Sequence, residues 1–368
     1  MTAARIDFDG GGAFYADLKE RVRAQLSEPG RDRRAHRRIY VKSATMFVWA
    51  IASWALLVFA AATWWQTAAL CASLGLALAG IGFSVTHDAN HGSFSPNRRV
   101  NTTMRWSLDL IGASSYVWRV KHNVVHHTYT NIAGADTDIE QLPLARLAPD
   151  QKRRWFHRYQ HVYIWPLYGL FSVKWHTVGD LGLLCMGRVG PTPLRWPRGR
   201  ELVGLIGGKA LFLSWSIVIP LLLHPAWQVA VMFLATSFVL AFTVAMIFQL
   251  AHCLEEAEFS SVDAMGEAGR TEWARHQVES TVNFAPRNRF LAWYLGGLNF
   301  QIEHHLFSRV CHVHDPALAS VVRETCAAHG VRYQSHTTLW SAIASHARWL
   351  KRMGATTDAG RRVAVSPG

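Results

Sequence analysis

Two long stretches of the chain, residues 43–86 and 210–254, contain no Asp, Glu, Lys or Arg. One helical crossing of a bilayer needs about 20 apolar residues, so each stretch is long enough for two crossings. Trp-containing turns interrupt them at residues 64–67 and 224–228, where an aromatic belt is expected. The pattern therefore predicts four spans in two hairpins. We place the spans at residues 43–63, 68–86, 203–223 and 228–250.

The remaining segments are polar and basic, and they are predicted to be mostly helical. Residues 1–42 are expected to form a basic cytoplasmic tail, residues 43–352 one membrane domain, and residues 353–368 a disordered tail. Residues 162–186 are amphipathic and are expected to lie along the membrane interface. The predicted fold class is an all-α membrane protein, in which four transmembrane helices in two hairpins carry a helical cytoplasmic cap. A soluble helical core is disfavoured, because more than 40 consecutive uncharged residues exceed an ordinary core hairpin.

Charge orients these elements and excludes some functions. The net charge is +13, and Lys and Arg flank the predicted spans while both short turns carry none. The positive-inside rule then puts both termini and the long connection in the cytoplasm, at the cell inner membrane. Lys209 lies near the cytoplasmic end of the third span, where it is expected to extend toward the headgroups. No nucleic-acid-binding motif is present, and the five Cys form no CxxC pair, so a disulfide framework or zinc ribbon is not indicated.

Histidines are the candidate functional residues of this chain. The 19 His include the groups HDANH at 87–91, HNVVHH at 122–127 and QIEHH at 301–305, with His252 directly after the fourth predicted span. Residues four apart share one face of a helix, so each HxxxH can point at one metal. A His-x-x-x-His-His triple would arise by chance only roughly 0.05 times in a chain of this composition. The clustering therefore indicates a site.

All four groups fall at the cytoplasmic side of the predicted spans, so eight imidazoles are expected to converge there. They are His87, His91, His122, His126, His127, His252, His304 and His305. Eight neutral imidazoles exceed the needs of one metal and suit two. The alternative is interfacial side chains bonded to water or headgroups. A site rich in nitrogen and without Cys argues against structural zinc and iron–sulfur clusters, and favours two irons that bind O2 beside a lipid substrate.

Carboxylates and amides near these histidines are candidates to orient the imidazole N–H groups, as metal-binding His usually requires. The candidates are Asp88, Asn90, Asp136, Asp138 and Glu303. For each of them, a helix cap or a solvated charge is the equal alternative.

The sequences HDANHGS, HNVVHHTYTN, FQLAH and NFQIEHHLF, in this order and topology, resemble the membrane fatty acid desaturase family over residues 40–352. The resemblance implies that the eight histidines bind two iron ions, with no catalytic residue beyond the metal centre. Gln301 stands where most members have His, which resembles the front-end subgroup. In that subgroup the new double bond forms between an existing one and the carboxyl end, so Gln301 is a candidate ligand or near neighbour of the metal.

The resemblance also implies partners. It predicts O2-dependent formation of a cis double bond in a fatty acyl chain carried by CoA or a lipid. Residues 1–42 are too short for a cytochrome b5 domain and lack its HPGG motif, so electrons are expected from ferredoxin or from cytochrome b5 with its reductase. Ser308 replaces the usual Pro after HHLF. Candidates to line an acyl tunnel are Trp118, Trp165 and Trp175, for which anchoring at the membrane interface is the favoured alternative. Candidates to hold a CoA or phospholipid phosphate are Arg119, Lys121, Arg153 and Arg154, and a positive-inside role is favoured for each taken singly.

Two other function classes remain open at this stage. A hydroxylase or ketolase would share the di-iron site and the first hydrogen abstraction. A zinc hydrolase, a receptor or a metal transporter is more distant, because a transporter should carry ionisable residues in the middle of its spans. Chain length, double-bond position and acyl carrier are not fixed by the sequence.

Overall fold

A computed structural model describes residues 6, 8–9, 11–27, 31–140, 143–267 and 271–355. The α-helices are Ala13–Leu26, Arg31–Phe59, Trp64–Ile81, His87–His91, Arg98–Arg105, Ser107–Leu110, Ser115–Trp118, His127–Tyr129, Gln160–Lys174, Asp180–Met186, Arg200–Leu213, Ile219–Leu221, Ala226–His252, Val262–Glu267, Trp273–Glu279, Arg289–Tyr294, Gln301–Leu306, Asp315–Ala328 and Leu339–Ala355. Four segments are π-helical: Gly82–Thr86, Arg119–His126, Trp175–Gly179 and Ser214–Val218. Two are 3₁₀-helical: Trp155–Tyr159 and His312–His314.

Strands are few and short in the described residues. Ile132–Ala133 pairs in parallel with Ser260–Ser261, Asn283–Phe284 pairs in parallel with Ser335–His336, and Arg188–Val189 pairs antiparallel with Thr192–Pro193. The two parallel pairs join segments more than 50 residues apart. They therefore serve as local ties between loops of a helical protein.

Four helices in the described part of the chain are long and apolar enough to span a bilayer, which confirms the predicted number. In chain order these spans are Ala35–Phe59, Trp64–His91, Arg200–Leu221 and Ala226–His252. Each overlaps its predicted counterpart. The first span begins at Ala35, eight residues before the predicted start at residue 43. Lys42 does not mark the start of the span, because its side chain is buried against His312.

Local sequence fixes where the second span begins and ends. At its start, the Thr63 side chain accepts from the Gln66 amide while the Gln66 side chain accepts from the Thr63 amide, a capping box that satisfies two otherwise unpaired amides. At its end, Gly92 adopts φ +79°, the left-handed conformation that closes a helix and that glycine adopts without strain. The span therefore stops directly after His91.

Residues 160–186 form a continuous helix, here called the flanking helix, which packs against the middle of the fourth span. A Cβ on Gly169 would lie 2.2 Å from the Phe238 ring, and the Ser172 hydroxyl donates to the Ser237 carbonyl. The expected position of the flanking helix along the membrane interface stays a prediction. The small residues Gly169 and Ser172 let the two helices approach closely, as in membrane helix pairs.

Lys209 is held differently from the expectation. Its ammonium donates to the backbone carbonyls of Gly112 and Trp175, and it lies 4.0 Å from the Asp180 carboxylate. These protein acceptors satisfy the charge inside the bundle, so Lys209 does not extend to the headgroups.

The terminal segments are helical and pack against other parts of the chain. Helix Ala13–Leu26, from the predicted N-terminal tail, buries Phe14, Leu18 and Val22 in a cluster with Leu318 and Val322. The last helix ends at Ala355 and buries Met353 and Gly354, so it includes the first three residues of the predicted disordered tail. The rest of that tail, residues 356–368, lies outside the described residues.

Candidate metal centre

The first box lies at the end of the second span. A π-helical segment, Gly82–Thr86, precedes the short helix His87–His91, and both histidines are buried. The ring centroids of His87 and His91 are 4.8 Å apart, as expected for residues one turn apart on the same face.

The second box lies in the π-helical segment Arg119–His126. In an α-helix, residues turn by about 100° each, so His126 would lie near the His122 direction and His127 well away from it. A π-turn is wider, because its hydrogen bonds reach the fifth residue, and the His127 amide donates to the His122 carbonyl. All three histidines of the box therefore face the same site.

The eight predicted histidines come together in two adjoining groups. In the first, ring nitrogens of His87, His91, His122 and His304 lie within 4.8 Å of one another. In the second, the same holds for His126, His252 and His305. His127 connects the groups: its Nε2 lies 3.1 Å from that of His304, and its ring stacks on His305 with centroids 4.3 Å apart.

The donor set fits metal ions. Among the described residues, buried ring nitrogens of His87, His91, His127, His252 and His305 have no hydrogen-bond partner. A buried polar atom without a partner is costly, and a bound cation would remove that cost. The imidazole ring is a good ligand for iron, zinc and copper.

Burial also keeps these imidazoles in the form that binds metal. It lowers the pKa of His122 to about 3, and it holds the pKa values of His127, His304 and His305 well below their usual range. His126 differs: burial lowers the pKa of its ring, but the Asp136 and Asp138 carboxylates together raise it above its usual value. A neutral imidazole offers a lone pair to a metal, so burial keeps His122, His127, His304 and His305 in the binding form at neutral pH.

Side chains around the rings orient several of them. Asp136 Oδ2 lies 3.0 Å from His126 Nδ1 and also accepts from the Asn131 amide. Asp138 is farther, 3.6 Å from the same nitrogen, and forms an ion pair with Lys121. Asp136 is thus the direct partner of His126.

Two other supports connect distant parts of the chain. Asp88 Oδ1 lies 3.7 Å from His87 Nδ1, while its Oδ2 lies 2.8 Å from His312 Nδ1. The other nitrogen of His312 lies 3.0 Å from the buried Lys42 ammonium. Gln277 Oε1 lies 2.8 Å from His305 Nδ1. Sequence reasoning missed His312, Lys42 and Gln277, because no spacing relates them to the boxes.

Two of the predicted orienting residues bond elsewhere. The Asn90 amide donates to the Thr86 carbonyl on its own helix. Glu303 accepts from Asn283 and Tyr333, and burial raises the pKa of its carboxyl to about 7. Neither is hydrogen-bonded to an imidazole in the described part of the chain, because Asn90 turns back on its helix and Glu303 points away from His304.

Gln301 begins the helix that carries His304 and His305, one turn before His304. Its side chain is buried, and its Oε1 has no hydrogen-bond partner among the described residues. An amide oxygen in this state is available to a cation or a water molecule.

A cavity of about 340 Å³ opens beside the histidines. His87, His122, His126 and His252 form part of its wall. The apolar wall consists of Phe83, Leu108, Ile111, Val117, Trp118, Leu167, Phe171, Trp175, Leu240, Val244, Ala245 and Phe248. Trp118 and Trp175 therefore line the cavity, whereas Trp165 does not and donates its Nε1–H to the His161 carbonyl.

The charged part of the cavity wall consists of Lys121, Asp138, Glu140, Lys174 and Asp180. Burial and the nearby Lys121 ammonium lower the pKa of Lys174. Among the other candidate phosphate ligands, Arg119 pairs with Glu201 and Arg153 donates to the Gly354 carbonyl. Lys121 is therefore the predicted cation that the structure brings to the cavity, and Lys174 joins it.

Comparison with known proteins gives a family and close relatives. The family model described as fatty acid desaturase matches residues 62–337. The chain is 35% identical to the sn-1 linoleoyl-lipid 6-desaturase of Arthrospira platensis, over 96% of this chain and 95% of the relative. It is 36% identical to the protein of the same name from Synechocystis sp., over 96% and 99%. It is 34% identical to the acyl-lipid (8-3)-desaturase of Physcomitrium patens, over 93% and 72%.

Proposed function

The chain belongs to the fatty acid desaturase family, and from that premise we propose that it is an integral membrane acyl-lipid desaturase of the front-end type. Its eight clustered histidines hold two iron ions, with Gln301 as a further ligand or near neighbour. The observation that carries the proposal is the pair of buried imidazole groups beside a largely apolar cavity. The overall reaction removes two hydrogen atoms from neighbouring carbons and reduces O2 to two water molecules, using two external electrons and two protons.

The protein's own residues place the acyl chain and keep water away from it. When bound, the two irons supply the O2 activation that breaking an unactivated C–H bond requires. The aromatic and aliphatic wall holds the chain extended next to His122 and His126. Asp136 and Gln277 fix the rings of His126 and His305 by accepting from their Nδ1–H groups.

The charged part of the cavity supports the front-end assignment. Lys121 directly precedes His122 and pairs with Asp138, while Lys174 offers its ammonium group to an ester carbonyl or phosphate. The carboxyl end of the acyl chain therefore lies within a few carbons of the histidines. The longer methyl side extends along the apolar wall. A lipid-linked substrate is supported by the names of the relatives, which are lipid-linked acyl desaturases.

Electrons come from a separate donor, ferredoxin or cytochrome b5 with its reductase. The net charge of +13 supports an acidic carrier, because complementary charge accelerates docking.

We place the protein in the cell inner membrane, with four spans in two hairpins and with the cap, the metal centre and both termini in the cytoplasm. A C-terminal tag should then be cleaved by protease in inverted vesicles and protected in right-side-out vesicles; the opposite result would reverse this orientation.

The decisive experiment is expression in a host that lacks front-end desaturation and is fed defined polyunsaturated fatty acids. Gas chromatography–mass spectrometry of its lipids is expected to show a new double bond on the carboxyl side of an existing one. New hydroxy or keto acids without new alkenes would instead establish the hydroxylase or ketolase.

Two variants test the metal centre in the same membranes. His126→Ala should abolish product and lower iron content, while His329→Ala, a solvent-accessible ring near Asp17, should retain both. Zinc in place of iron in active wild-type protein would favour a hydrolytic site. Gln301→Leu is expected to lower iron content, and full occupancy in that variant would exclude Gln301 as a ligand.

A further inference from the structure

The acyl cavity is followed by a second, smaller cavity along the same face of the fourth span. From the metal end, the larger cavity is lined by His252, Gln249, Phe248, Val244 and Leu240. The smaller one, of about 30 Å³, continues from Leu240 through Ser237, Thr236, Phe233 and Met232. These positions recur every three or four residues, so both cavities lie along one stripe of a single helix.

Two side chains belong to the walls of both cavities: Leu240 and Ile111. Both are buried, with 3% and 8% of their surface exposed. No other residue lines both cavities in the described part of the chain. They therefore form the partition between the two.

The turn that carries Ile111 is held rigidly. Three consecutive carbonyls accept hydrogen bonds from side chains of other helices: Leu110 from Trp215 Nε1, Ile111 from His176 Nε2, and Gly112 from the Lys209 ammonium. Gly112 has φ +95°, and a Cβ there would lie 2.6 Å from the His176 ring. A partition fixed in this way does not yield easily to a longer ligand.

The distance from the histidines to the partition is close to the length of a fatty acyl tail. Leu240 lies 12 residues before His252, or about 18 Å along the helix. A methylene adds roughly 1.3 Å to an extended chain, given a C–C bond of about 1.5 Å. The larger cavity thus has room for about 14 carbons beyond the metal centre.

We propose that Ile111 and Leu240 form the stop for the methyl end of the acyl chain and set the longest chain that the protein desaturates. This inference rests on the proposed function. It predicts that removing the stop joins the two cavities, so that longer chains are accepted. The bond position counted from the carboxyl end stays the same, because the charged part of the cavity is untouched.

The test compares wild-type protein with Ile111→Ala, Leu240→Ala and the double variant, in cells fed an equimolar series of acyl chains that differ only in methyl-side length. Products are quantified by gas chromatography–mass spectrometry. Beyond the wild-type limit, product from the double variant should rise by about fourfold for each added methylene, the gain expected from burying one CH2 group. Thr236→Leu added to the double variant should refill the second cavity and restore the wild-type limit.

Leu234→Ala is the matched control, because Leu234 is on the same helix, lines neither cavity and is 52% exposed. It should keep the wild-type length profile.

An unchanged profile in a double variant that accumulates normally would overturn the inference, as would a shift of the bond position without a shift of length. If the double variant does not accumulate, Ile111→Val removes a single methylene and should give a smaller shift in the same direction; no shift there would overturn the inference too. Absence of product from the wild-type protein with every chain would instead overturn the proposed function.

Discussion

Asp136 is the residue on which the orientation of His126 depends. Its carboxylate is fully buried, accepts from His126 and is itself fixed by the Asn131 amide. Asp136→Asn keeps the size of the side chain and removes its charge, so the ring loses its oriented anionic partner. Affinity for iron should fall by about 10- to 100-fold, the usual effect of losing such a partner. Competition with a chelator of known affinity would measure it, with the exposed Asp263→Asn as control; equal affinity of both variants would contradict this role.

The chain of contacts from Lys42 through His312 to Asp88 supports the first box. The Lys42 ammonium donates to His312, whose other nitrogen donates to Asp88 beside His87. Lys42→Met should leave the Asp88 charge uncompensated and loosen His87, so iron occupancy should drop and the Mössbauer spectrum of the bound iron should broaden. The exposed Lys152→Met is the control. A spectrum identical to that of the wild-type protein would show that the contact is merely structural.

Four of the eight ligand candidates, His87, His91, His122 and His126, were predictable from sequence because residues four apart share one face of a helix. His252, His304 and His305 were predicted from their places at one side of the predicted spans. The π-turn that brings in His127 was not predictable, since it depends on a local insertion into the hydrogen-bond ladder. Gln277 and His312 were missed for another reason. Their imidazole or carboxylate partners lie 28 and 224 residues away, and single residues at such separations leave no pattern.

At the scale of elements, the four spans were predictable because uncharged stretches of this length are rare outside membrane-spanning segments. The packing of the flanking helix against the fourth span was not predictable, since Lys174 and Asp180 suggest a surface helix. Inside the bundle, Asp180 accepts from the Ser114 amide and lies near Lys209. From the sequence alone, a charged residue is predicted to be exposed when its buried partner comes from a distant helix.

Gly75 controls how closely the second and fourth spans pack. A Cβ there would lie 2.8 Å from the Thr236 backbone carbonyl, and a backbone atom cannot move aside as a side chain can. Gly75→Val should therefore separate the two spans and lower the unfolding temperature of the detergent-solubilised protein by several degrees. Gly207→Val, in the third span where a Cβ meets nothing within 4 Å, is the control. Equal unfolding temperatures for the two variants would refute the close packing.

At the scale of the whole molecule, acid should destabilise the fold through buried neutral histidines. His346 lies on the last helix, where it donates to the Cys253 carbonyl and accepts from the Tyr168 hydroxyl of the flanking helix. Burial lowers the pKa of its ring to about 4, against about 6.5 in the unfolded chain. The unfolded state therefore binds a proton that the folded state excludes, so stability is full above pH 6.5 and falls as the pH drops toward 4, by about 3 kcal/mol for this residue.

Thermal unfolding at pH 7, 6 and 5 would measure this loss. His346→Gln preserves one donor and one acceptor without the titration, so the variant should lose less stability than the wild-type protein over the same interval. A wild-type stability that is constant down to pH 5 would contradict the mechanism.

The metal centre should also contribute to global stability, because its ligands come from four separate parts of the chain. Iron that binds only the folded state stabilises it by mass action. Removing iron with a membrane-permeant chelator should lower the unfolding temperature, and adding back Fe²⁺ under anaerobic conditions should restore it. The His126→Ala protein is the control and should respond less to either treatment. An unfolding temperature that does not change on chelation would show that the bound metal does not stabilise the folded state.

The distance in sequence between the first and last boxes has a consequence for biogenesis. The ribosome delivers His87 to the membrane long before His305 has been synthesised. Until then the early imidazoles lack a complete partner set, and they are open to whichever divalent cation is abundant. If the centre holds iron as proposed, iron delivery is a late maturation step, and a nascent chain arrested before the third box has its spans but no complete ligand set.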